Sequence, residues 1–216
     1  MIYGKNVSKY YRVNGSLVKV LENLNFSIEN KVKLGILGYN GAGKSTLIRL
    51  ISGCEKVTSG KIVKDIRVSW PIGLSSSFHA TLSGADNTRF VSRIYGEDLN
   101  KIKKFVEDFA ELGKFIDMPI RTYSAGMRAR LSFALSMAMD FDCYLVDEVT
   151  AVGDSKFQKK CKDAFDEKKN TSSIIMVSHS SDILKAHCDK GAILHNGELK
   201  IYEDLDKAME IYKDLK

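Results

Sequence analysis

The stretch Gly38-Tyr39-Asn40-Gly41-Ala42-Gly43-Lys44-Ser45-Thr46 decides the fold. A glycine, four residues, then Gly-Lys-Ser is the phosphate-loop pattern, and its surroundings agree with it. Val32-Lys33-Leu34-Gly35-Ile36-Leu37 reads as a buried strand before it, and Leu47-Ile48-Arg49-Leu50-Ile51 as a helix after it. The glycines let the backbone curl around a polyphosphate, with N–H groups aimed inward at a helix N-terminus. Lys44 can then reach the β- and γ-phosphates, and the Ser45 hydroxyl can hold Mg²⁺. A glycine-rich turn with a chance lysine would need neither the strand nor the helix.

Upstream, residues 2–7 and 17–28 alternate well enough for strands, with Leu24, Phe26 and Ile28 on one face. Between them, Lys9-Tyr10-Tyr11-Arg12-Val13-Asn14-Gly15 reads as a polar turn. Its tyrosines are either ordinary surface aromatics or a ring on which adenine could stack. Downstream, Thr58-Ser59-Gly60-Lys61 is expected to turn and 61–69 to form a strand, and a loop starts at Trp70-Pro71-Ile72-Gly73. Ser83 and Asp86 make a capping box. A helix spans about 98–112, its Ile102, Phe105, Val106 and Phe109 facing a core. Tyr123-Ser124-Ala125-Gly126-Met127 opens another helix, with Met127, Leu131, Leu135 and Met139 about one turn apart.

Cys143-Tyr144-Leu145-Val146-Asp147-Glu148 is an apolar strand ending in two acids. A carboxylate at the carboxyl end of a strand beside the phosphate loop is where a second Mg²⁺ ligand is needed. A helix at about 156–169 leads to strand 172–178, whose end carries His179. Asn196-Gly197 joins strands 191–195 and 198–202 as a tight hairpin, and a charged helix follows from Glu203.

At 216 residues and 44% apolar, the chain has material for one α/β domain with a sub-domain. No apolar run approaches the roughly 18 residues of a membrane span, and Met1-Ile2-Tyr3-Gly4-Lys5 lacks the apolar core of a signal peptide. The chain is therefore expected in the cytoplasm, reaching a membrane through a partner. The four cysteines show no metal-ligand spacing and read as free thiols. The net charge of +6 is scattered, and Lys101-Ile102-Lys103-Lys104 and Lys159-Lys160 read as solvated helix faces.

At this point the residues resemble the ATP-binding-cassette ATPases over essentially the whole chain. Gly38–Thr46 looks like the Walker A loop, Leu145-Val146-Asp147-Glu148 like the Walker B strand, and Tyr123–Met127 like the signature, usually Leu-Ser-Gly-Gly-Gln. Ala151-Val152-Gly153-Asp154 sits at the D-loop position and His179, 32 residues after Asp147, at that of the switch histidine. More narrowly, Ser69-Trp70-Pro71-Ile72-Gly73, Tyr123 to Leu131 and the Val-Gly-Asp of the D-loop resemble the ATPase of bacterial capsular-polysaccharide exporters. Ala125 departs mildly from the signature. Gln158 is the only glutamine, so the usual Q-loop glutamine is absent and Trp70–Ser77 takes its place.

The resemblance implies an α/β fold: a phosphate-loop NTPase (RecA-like) core with an antiparallel β-subdomain and an inserted helical subdomain. The core would span about 1–77 and 139–216, the insert about 78–138. It implies ATP and Mg²⁺ as cofactors. Tyr11, better placed than Tyr10, would stack on adenine, and Gly38, Asn40, Gly41, Ala42, Gly43, Lys44, Ser45 and Thr46 would wrap the phosphates. Ser45 and Asp147 would hold the metal, Glu148 would polarise the attacking water, and His179 would sense the γ-phosphate. Ser124 and Gly126 would reach the nucleotide of a second copy, with Asp154 beside them. Two copies would pair with an integral membrane permease on the cytoplasmic face of the inner membrane to move lipid-linked polysaccharide.

O-antigen or teichoic-acid exporters are near alternatives, though some carry a C-terminal carbohydrate-binding domain, and about 14 residues follow the last strand here. A nutrient importer fits less well without the Q-loop glutamine. Soluble cassettes acting on nucleic acid carry a long coiled coil or tandem cassettes; this sequence has neither, so no nucleic-acid partner is expected.

Overall fold

Short runs of Ile, Leu and Val build the strands that carry the loop. The computed structural model describes residues 1–72, 78–147 and 154–215, and the chain divides into two compact units. The first comprises 1–71, 141–149 and 171–216. In it, β3 (Lys33–Leu37), β6 (Cys143–Asp147) and β7 (Ser173–Val177) are apolar and almost wholly buried, as strands covered on both faces must be. They belong to a six-stranded sheet of order β5-β6-β7-β3-β8-β9, with β5 at Val68–Ile72, β8 at Lys190–His195 and β9 at Glu198–Tyr202. β3 runs parallel to β7 and β8, while β8 and β9 form an antiparallel hairpin. Asn196 and Gly197 turn that hairpin with φ of 48° and 78°, the pair of positive angles such a tight turn needs.

A separate antiparallel sheet of order β2-β1-β4 uses β1 (Ile2–Val13), β2 (Ser16–Ile28) and β4 (Ser59–Lys64). Leu21, Leu24, Phe26 and Ile28 of β2 share one core with Leu34 and Ile36 of β3 and with Leu47, Ile48 and Ile51 of helix α1 (Lys44–Ser52). Burying each such side chain stabilises the unit by about 1.5–3 kcal/mol. Helices α6 (Ser181–His187) and α7 (Leu205–Asp214) complete it.

The second unit comprises 72–140 and 150–170. It holds α2 (Gly84–Tyr95), α3 (Leu99–Ala110), 3₁₀ turns at Gly113–Asp117 and Ile120–Thr122, α4 (Ala125–Ala138) and nearly all of α5 (Ser155–Thr171). Ser83 caps α2 as its spacing predicts, accepting from the Asp86 amide at 3.0 Å, and Asp98 caps α3. Phe109 anchors this core, stacked on Phe105 and Phe133 and edge-on to Phe157.

Several local expectations change: Ser59, Gly60 and Lys61, expected to turn, open β4, and Phe105, expected to face the core, is exposed. Lys9 to Arg12 lie on β1, which runs on to Val13; pairing with β2 through three register shifts absorbs the polar stretch into the sheet. Residues 61–69 are parts of two strands, not one. The break falls where Asp142 Oδ2 accepts from the Arg67 amide at 2.8 Å, and β4 and β5 join different sheets. The break expected at Trp70 comes later, since β5 continues to Ile72. Trp70 is half-buried and edge-on to Phe141, their centroids 5.3 Å apart.

Candidate nucleotide site

In the first unit the loop follows β3 and ends at the first turn of α1. Gly43 adopts a left-handed backbone (φ 97°), and a Cβ there would lie 2.9 Å from Leu21 Cδ2, so the position needs glycine twice over. Gly38 allows a second close approach: a Cβ would come 2.7 Å from the Leu194 carbonyl oxygen. Lys44 is buried, and its Nζ donates to the carbonyl oxygens of Gly38 at 2.7 Å and Tyr39 at 2.9 Å. The ammonium is thus held against the loop's own backbone. The Ala42 amide donates to the same Tyr39 carbonyl at 3.1 Å.

Ser45 Oγ donates to Asp147 Oδ1 at 3.0 Å, joining the first turn of α1 to the end of β6 across 102 residues of sequence. Two hard oxygens converging there suit Mg²⁺, which takes one or two protein ligands and fills the rest with phosphate and water. His179, just past β7, lines one cavity of about 160 Å³ with Gly38 and Lys44. Asn40 and Gly41 are exposed on the outer turn of the loop, whereas Thr46 is buried.

Tyr11 is placed apart from that cavity's lining. It lies on β1 opposite Val18, half-buried, with the Lys9 ammonium 5.0 Å from its ring centroid. Its hydroxyl is buried beside Glu55, which Lys9 pairs at 2.9 Å. Burial pushes the Glu55 carboxyl up, but Tyr11, Lys9 and Arg49 outweigh it and hold the group below its ordinary value. Tyr10 points instead toward Lys19 and Glu22.

In the second unit Ser124 caps α4, accepting from the Met127 amide at 3.1 Å, and a Cβ at Gly126 would meet Ser124 Oγ at 3.8 Å, an ordinary contact. Asp154 precedes α5 and is already engaged there. Its Oδ1 accepts from the Phe157 amide at 2.9 Å and its Oδ2 pairs with Arg130 Nη2 at 2.8 Å. The bond from the Phe157 amide does most to hold its carboxyl below the ordinary range; burial opposes it and Arg130 assists. Arg130 also lies 4.3 Å from the Phe157 ring centroid and 3.6 Å from Glu111. It stands in the quoted signature stretch, yet no motif gives it a role; its place one turn past Gly126 was the available signal. Glu148, Ala151 to Gly153 and Gly73 to Ser77 lie outside the described residues.

A family model described as ABC transporter matches residues 21–151. The chain belongs to the ABC transporter family. It is similar to the ATP-binding protein BexA of Haemophilus influenzae, with 49% identity over 99% of both chains. It is also similar to the capsule polysaccharide export ATP-binding protein CtrD of Neisseria meningitidis serogroup B, 50% identical over 100% of both. Among solved structures, a dimeric post-hydrolysis state of the ATP-binding cassette MJ0796 bound to ADP and Pi shares the cassette fold. Its TM-score is 0.74 at 21% identity, covering 94% of this chain and 98% of that one.

Proposed function

We propose that this cassette is the ATP-hydrolysing subunit of a bacterial capsular-polysaccharide exporter. It would work as a homodimer with an integral membrane subunit, at the cytoplasmic face of the inner membrane. The observation that carries the reading is the half-identity with CtrD, a capsule polysaccharide export protein, over the full length of both chains.

The site supports the chemistry. Lys44 and the loop amides would neutralise the phosphate charge, a preorganised electrostatic contribution. Ser45, and Asp147 directly or through water, would hold Mg²⁺, which would offset charge on the phosphates. Glu148 polarises the attacking water and His179 reads the γ-phosphate. Tyr11, with the Lys9 ammonium near its ring, would stack on adenine. Ser124 and Gly126 meet the nucleotide of the second copy, and Asp154 sets the start of α5 beside them.

No helix among the described residues is long and apolar enough to cross a membrane. For docking a membrane subunit, α2 offers Phe90 and Ile94 one turn apart, 58% and 61% exposed. The test is Glu148→Gln. It should keep ATP affinity, accumulate as an ATP-bound dimer by light scattering, and lose about 10²–10⁴-fold in turnover. Retention of more than a tenth of normal turnover would remove Glu148 from the base role.

A further inference from the structure

The loop residue Tyr39 does two things at once. Its carbonyl accepts from Lys44 Nζ and from the Ala42 amide, so the position of this one oxygen helps aim the lysine. Its side chain points to the end of the chain. The ring lies 5.7 Å from His195, at the end of β8, and 5.6 Å from Tyr212 on α7, tilted against both. Its hydroxyl donates to the carbonyl oxygen of Leu215, just past α7. The same helix walls the cavity that holds Lys44 and His179, contributing Met209, Tyr212 and Lys213.

We propose that Tyr39 is a positioning residue for ATP and α7 part of the nucleotide site: the ring, held between His195 and Tyr212, fixes the carbonyl that aims Lys44 at the phosphates. The physical argument is one of preorganisation. The Lys44 ammonium donates to the carbonyl oxygens of both Gly38 and Tyr39, which fix where its charge sits. If the Tyr39 carbonyl drifts, the ammonium drifts with it, and charge-assisted bonds depend steeply on alignment. A tilted ring pair is worth about two- to tenfold in an equilibrium. Burial, and after it the nearby Tyr39 phenol, raise the Tyr212 phenol above its ordinary value.

The inference rests on reading the loop as an ATP site, and the experiment separates the two. Full-length protein would be titrated with a fluorescent ATP analogue and assayed for steady-state hydrolysis, with circular dichroism to confirm folding. Tyr39→Ala and Tyr212→Ala should each raise Kd and KM about five- to tenfold, the change falling on KM rather than kcat. Tyr39→Phe, which keeps the ring and loses only the bond to Leu215, should recover most of the affinity. If Tyr212→Ala fails to fold, His195→Ala removes the other ring neighbour and carries the test. Wild-type affinity in both alanine variants, or a loss in Tyr39→Ala alone, overturns the clamp. So does a fall in kcat with KM unmoved. Lys44→Ala is the arm for the site itself: if it too binds ATP normally, the reading of the loop fails and the clamp with it.

Discussion

Two helices begin at glycine-bearing turns, and they begin differently. α1 starts at Gly43, which offers its first amides no side chain. α4 starts at Ser124, whose hydroxyl already accepts from Met127. Ser83, Asp98, Ser180 and Asp204 close α2, α3, α6 and α7 in the same way. A helix start leaves four amides that a side chain, water or an anion must satisfy. The phosphate loop is therefore a structure finished by its ligand, whereas the signature turn is finished beforehand. Ser124 can still serve a phosphate, because a hydroxyl that accepts one hydrogen bond keeps its own proton to donate.

The comparison breaks most readily at Lys44. Lys44→Ala removes the cation and its hydrogen bonds to the Gly38 and Tyr39 carbonyls together. ATP affinity should fall about 10²-fold or more by calorimetric titration, the worth of one or two charge-assisted hydrogen bonds. An equal loss in Ser124→Ala, measured on the dilute chain, would erase the distinction between the two turns. Ser124→Ala should instead leave single-chain affinity within about twofold and abolish the ATP-dependent dimer, while the lost cap lowers stability by about 0.5–2 kcal/mol in thermal melts. The smallest effect belongs to the base. Tyr11→Ala should weaken ATP binding by about 1 kcal/mol and Tyr10→Ala by less, by the same titration. The reverse order would move the stacking role to Tyr10.

What the sequence made legible was what local spacing controls. The strand, loop and helix around Gly38–Thr46, the Ser83 cap and the Asn196-Gly197 hairpin each depend on neighbours within a few residues. The run of β1 to Val13 does not, because only pairing with β2 draws Lys9-Tyr10-Tyr11-Arg12 into a sheet. α6, of seven residues, is too short to show a helical period, though Ser180 capping it was a readable sign. Of the site, Lys44, Ser45, Asp147 and His179 were marked by motif, and the structure brings Ser45 to Asp147 and puts Lys44 and His179 on one cavity. The Tyr39 bond to Leu215 spans 176 residues, and no pattern of spacing carries that information.

The order of the six-stranded sheet has a consequence for synthesis. β3 delivers the loop, but its sheet neighbours are β7 and β8, residues 173–177 and 190–195. Asp147 follows Ser45 by 102 residues. On the ribosome, the loop therefore emerges long before any strand can hold it, and loop closure over such distances must precede the pairing that rewards it. A nascent or truncated chain would carry the motif without the two strands that flank β3 in the sheet.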